Sequence, residues 1–114
     1  MSQTEPVIAV VQGETKRFRV RVRSKATGSP IDLTDAIITS EIKRTYTAAE
    51  VEAAFTIEAV DLADGVFDMV LDDEKSAVIV AGRHVFDVRI EFQSGDVKKR
   101  PRGQIVILPG VTNG

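Results

Sequence analysis

The chain has 114 residues, a formal charge of −2, 43% hydrophobic and 28% charged side chains, and no cysteine. That is the length of one domain and too apolar a composition for a disordered chain. Disulfide scaffolds and cysteine-based zinc sites are excluded, and no apolar run approaches the roughly 20 residues that would span a bilayer as a helix. The start, Met1-Ser2-Gln3-Thr4-Glu5-Pro6, has neither the basic region nor the apolar stretch of a secretion signal, so folding in a cytoplasm is expected.

Side-chain shape indicates the fold class. Val and Ile together number 26 against four Leu, and β-branched residues fit a pleated surface better than a helix, so a mostly β domain is expected. Val7-Ile8-Ala9-Val10-Val11 reads as a first strand, turned by Gln12-Gly13-Glu14. From Thr15 to Arg23, Phe18, Val20 and Val22 alternate with Arg17, Arg19, Arg21 and Arg23, the two-residue period of a strand with one buried face. Lys25 to Pro30 is a turn with Gly28 available for positive φ, and Ile31 and Leu33 plug a bridging segment into the core. A strand over 36–44 follows, with Ile38, Ser40 and Ile42 on one face.

Thr47-Ala48-Ala49-Glu50 has capping-box spacing amid alanines, which predicts a helical turn or two over 47–54. Phe55, Ile57 and Ala59 alternate as a strand, Asp64-Gly65 marks a hairpin, and Phe67, Met69 and Leu71 point inward on the return strand. Asp72-Asp73-Glu74 suits a helix N-terminus, with Gly82 as the expected C-terminal cap. His84, Phe86, Val88, Ile90 and Phe92 then alternate inward. Gln93 to Asp96 turns the chain into a last strand, Val97 to Leu108, where Gly103 is expected to mark a bulge.

About seven strands punctuated by turns predict an all-β, immunoglobulin-like β-sandwich with one or two short helical turns, with a barrel as the second architecture. The expected organisation is a strand or arm over 1–12, the sandwich over 13–109 and a tail over 110–114. Several landmarks recur in order: Gly13-Glu14-Thr15 before an alternating strand, Gly28 to Thr34 (Gly-Ser-Pro-Ile-Asp-Leu-Thr), Asp64-Gly65, Ala81-Gly82 followed by an aromatic and Asp (Phe86-Asp87), and Gly103 to Ile107. This series resembles the immunoglobulin-like modules of tailed-phage and prophage virion proteins, nearest to the N-terminal domain of baseplate upper proteins and related tail or head-to-tail accessory proteins. The resemblance spans residues 13–112 and departs from the pattern at His84, where the family often has Tyr, and at the acidic, alanine-rich stretch 45–54. It implies a non-enzymatic structural module of the virion, acting through other virion proteins and through its own oligomers.

The residues themselves offer little chemistry. A single histidine, His84, cannot supply a triad or a two-histidine metal site within one chain, and its apolar face makes it a core residue. Asp61, Asp64, Asp72, Asp73 and Glu74 would bind Ca²⁺ only if they gathered at one end of the sandwich; they lack calcium-loop spacing, and turn and cap roles account for each. No cofactor, metal or catalytic residue is therefore assigned.

Charge is segregated along the chain: six bases and no acid over 15–25, four bases and no acid over 97–108, nine acids and no base over 45–74. Arginines at about 6.6 Å intervals match phosphate spacing, yet the net charge is negative and the phenylalanines fall on core faces, so nucleic acid is disfavoured. The alternative is protein assembly. With the two charge classes on different sides, Arg17, Arg19, Arg21 and Arg23 of one copy would meet Asp61, Asp64, Asp68, Asp72, Asp73 and Glu74 of the next, closing a ring or extending a tube. A carbohydrate- or surface-binding adhesion module is the other reading, for which Tyr46 is the one aromatic outside the core faces.

Overall fold

The computed structural model describes residues 7–110; expectations for Met1 to Pro6, for the tail at 111–114 and for the Arg100 side chain lie outside the described residues. Eight strands form among the described residues: β1 Val7–Val11, β2 Lys16–Arg21, β3 Ile37–Lys43, β4 Ala53–Ala54, β5 Thr56–Asp61, β6 Val66–Leu71, β7 Gly82–Glu91 and β8 Val97–Leu108. A 3-10 turn at Leu62–Asp64 and one short helix, α1, at Asp73–Val78 complete the elements. The strands make a five-stranded sheet in the order β1-β8-β7-β3-β4 and a three-stranded sheet in the order β2-β6-β5. The result is an all-β sandwich of immunoglobulin-like form. β1 joins β8 in parallel, whereas the other ladders are antiparallel.

The alternating patterns place the core as expected. Val22, Leu33, Ile42, Phe67, Met69, Leu71, Phe86, Val88, Ile90, Ile105 and Ile107 are buried between the sheets. Phe18, Phe55 and Phe86 form an edge-to-face chain from one sheet to the other, with centroids 5.5 and 5.8 Å apart. Phe55 sits where the chain leaves β4 in one sheet and enters β5 in the other, and its N–H donates to Ser40 O at 2.9 Å.

Three local expectations are corrected. No helix forms over 47–54: Thr45 to Ala48 makes a turn, and β4 pairs with Glu41 and Ile42 of β3. Helical propensity there loses to the pull of Phe55 into the core, which requires the preceding residues to run extended along β3. Gly82 does not cap α1, whose C-terminal cap is Ile79 in extended conformation; Gly82 instead opens β7 opposite Ile107. The β8 irregularity lies before Gly103. Asp87 pairs with Arg102 and Arg89 with Lys99, so β8 carries one residue more than β7 across this interval, around Pro101. Proline lacks the N–H that a ladder needs, which is where an extra residue costs least.

The hairpin between β5 and β6 forms through the 3-10 turn, with Gly65 left-handed at φ 74°. At the far end, Asp72 Oδ1 accepts from Lys75 N at 2.8 Å and caps α1. The fully buried Ser76 then ties α1 to the β1–β2 turn: its hydroxyl donates to Glu14 O at 2.7 Å and accepts from Gly13 N at 3.0 Å.

Candidate functional site

The outer face of the three-stranded sheet is where the expected interface residues fall. β2 presents Arg17, Arg19 and Arg21 outward because Phe18 and Val20 face the core. Register sets Arg17 beside Val70, Arg19 beside Asp68 and Arg21 beside Val66 on β6, and Glu58 of β5 lies beyond Asp68. The outward side chains of β6 are buried even though they face away from the core: Val66 is 9%, Asp68 5% and Val70 8% exposed. Arg17 and Arg19 reach Asp68 while their side chains stay about half exposed.

Asp68 is the centre of this face. Arg19 Nε donates to Oδ1 at 3.0 Å, Arg17 reaches Oδ2 at 3.3 Å, and Arg17 also pairs with Glu58. Arg17 and Arg19 are therefore paired within the chain, because β6 inserts between β2 and β5 and brings Asp68, with Glu58 beyond it, beside them. Sequence distance hid this pairing, since residues 17 and 68 become neighbours only once strand order is known.

The remaining acids are divided. Asp61 and Asp64 flank the 3-10 turn at the Arg21 end of β6, whereas Asp72, Asp73 and Glu74 begin α1 at the Lys16 end, roughly 17 Å away along the strand. They do not gather at one end, and no group of three potential metal-ligating side chains occurs among the described residues. Arg23 donates to Gly28 O at 3.2 Å across its own turn. The Arg21 side chain is exposed and makes no hydrogen bond or ion pair among the described residues.

Hydrogen bonding from Arg19 foremost, opposed by burial and reinforced by Arg17, holds the Asp68 carboxyl below the usual carboxylate range. A depressed folded value means the stabilisation is present above the unfolded value near 3.9 and is lost as pH falls through the folded one. Asp68→Asn is therefore expected to flatten the loss of stability below about pH 4 seen in thermal melts. A residual slope remains from Asp32, which is lowered by its bonds to the Thr34 hydroxyl and N–H.

His84 is buried on the inner face of β7, as its apolar alternation predicts. Its Nε2 donates to Val80 O at 2.7 Å, and Nδ1 has no partner. Tyr46 folds over the outer face of the five-stranded sheet. Its hydroxyl donates to Gly103 O at 3.1 Å and the Arg102 guanidinium stacks 4.8 Å from its ring centroid, beside a shallow depression lined by Glu41, Lys43 and Asp87. These contacts fasten the β3–β4 loop to β8.

No protein-family model matches the chain, and no curated protein matches it in sequence. Among solved structures, 81 chains match it, so the fold by itself discriminates little between functions. One is the N-terminal domain of phage TP901-1 ORF48, with TM-score 0.61 and 12% identity over 94% of this chain and 90% of that one. Another is CopC from Methylosinus trichosporium OB3b, with TM-score 0.51 and 11% identity over 98% and 91%. At these identities what is shared is the all-β sandwich.

Proposed function

We propose that the protein is a non-enzymatic structural module of a tailed-phage or prophage virion, a tail, baseplate or connector accessory that acts through protein–protein assembly. The observation that carries this reading is the near end-to-end match to the phage TP901-1 ORF48 N-terminal domain, which agrees with the ordered landmarks from Gly13 to Ile107. Its partners are other virion proteins, and its place is the assembled particle.

The adhesion alternative gains nothing from Tyr46, whose hydroxyl and ring are both engaged within the chain. Protein mass spectrometry of density-purified particles, induced from a strain carrying the gene, tests the proposal. Recovery of the chain in fixed ratio to tail proteins is expected. Particles that lack it, while the purified protein coats bacterial cells, would replace assembly with adhesion.

A further inference from the structure

The four strands at sheet edges are unlike one another. β2 carries Lys16, Arg17, Arg19 and Arg21, β5 carries Glu58 and Asp61, and β4 is two residues long. Charge and brevity are common guards against edge-to-edge pairing. β1, Val7-Ile8-Ala9-Val10-Val11, has neither a charge nor a proline, and Val7 is 60% exposed.

Successive residues of a strand direct their N–H and C=O groups to opposite sides. Gln12 N donates to Leu108 O, so the even-numbered residues of β1 serve the ladder with β8 and the odd-numbered ones face the open edge. Glu14 closes the Val11 position: its carboxylate accepts from Val11 N at 3.1 Å and its own N–H donates to Val11 O at 3.0 Å. The open positions are thus Val7 and Ala9, whose main-chain groups have no partner among the described residues.

We propose that this edge pairs with β1 of a second copy, antiparallel about Ile8, extending the five-stranded sheet across a two-fold axis. In that register Val7 of each copy lies opposite Ala9 of the other, and each N–H donates to the facing C=O, so every open group of one copy is matched by one of the other. Ile8 meets its own counterpart at the axis, and the outer faces join as an apolar strip with Val106 and Leu108 behind it. A second copy is the occupant because the edge requires an uncharged strand with open main-chain groups on alternate residues, which β1 supplies in matching register; β2 and β5 would bring unmatched charges to it, and β4 has only two residues. This contact is independent of the virion reading and uses none of the arginine face.

Two five-residue strands bury less than the roughly 1,200 Å² of stable complexes, so a weak dimer is expected, with Kd about 0.1–1 mM. Sedimentation equilibrium and amide NMR of the full chain, from about 10 μM to 2 mM, provide the test. Expected are a monomer–dimer equilibrium, exchange of the Ala9 amide that slows with concentration while that of Val10 stays slow throughout, and no loss of dimer between about 0.05 and 0.5 M NaCl. Ala9→Pro removes an N–H that β8 does not use, and should weaken the dimer at least about tenfold. If that variant melts early, Val7→Lys, which alters an exposed side chain alone, decides in its place. A monomer at every concentration, a dimer indifferent to both variants, or one that dissociates with salt and with Arg21→Glu would overturn the proposal. The salt-sensitive result would leave the virion reading intact, as would the others.

Discussion

Gly65→Ala is expected to destabilise the protein by about 3 kcal/mol or more, lowering the melting temperature in circular dichroism by roughly 12–25 °C. Two independent penalties meet at this position. At φ 74° a side chain costs about 1–2 kcal/mol. In addition, a Cβ would stand 2.6 Å from Val22 O and 2.7 Å from Ile31 O, main-chain atoms that cannot swing aside. Those carbonyls belong to the segment where β2 gives way to the bridging stretch, so relief would have to shift the bonds that Val22 N–H donates to Gly65 O and Ile31 N–H donates to Val22 O. Gly28→Ala is the control: its φ is 73°, but nothing lies within 4 Å of the added carbon, so about 1–2 kcal/mol is expected.

Phe55→Ala is the second large effect, at about 4 kcal/mol in a denaturant titration, with Phe55→Leu nearer 1–3 kcal/mol. Phe55 is buried, and its ring packs edge-to-face against Phe18 of one sheet and Phe86 of the other. Truncation opens a cavity at the one residue that belongs to the crossing between the sheets. Leucine refills most of the volume but loses both aromatic contacts, each worth about 0.5–1.5 kcal/mol. A loss below about 2 kcal/mol for Phe55→Ala would mean that β4 and β5 collapse onto the gap, and that the two sheets do not depend on this crossing.

Local pattern made much of this fold readable. Arg17 through Val22, Phe67 through Leu71 and His84 through Ile90 alternate so cleanly that strand and face follow from period alone, although burial does not follow on β6, where both faces are covered. Asp72 as a helix cap and Gly28 as a left-handed turn residue follow from their own chemistry. What escaped depends on which strands adjoin. Asp68 lies under Arg19 because β6 runs between β2 and β5, and nothing within fifty residues of chain announces that order. Ala48 to Ala54 misleads because helix propensity is weak beside the burial of one phenylalanine. Gly103 drew the bulge assignment by being a glycine, whereas the extra residue falls around Pro101.

The candidate site was legible as a list of charged residues and illegible as an arrangement. Segregation along the sequence suggested charge-opposed surfaces; folding set Asp68 and Glu58 beside Arg17 and Arg19, and put the other acids at the two ends of β6. A stripe of arginines can therefore serve its own sheet: Arg19 and Arg17 hold the Asp68 carboxyl below the usual carboxylate range.

The parallel pairing of β1 with β8 has a mechanical consequence. Because the two strands run in the same direction, tension applied at Val7 and at Leu108 pulls them past one another along their length. Every hydrogen bond of that ladder is then loaded together in shear, instead of being peeled open one after another, and rupture requires the whole seam to fail at once. Such a seam suits a module that must transmit force through its own chain without unravelling.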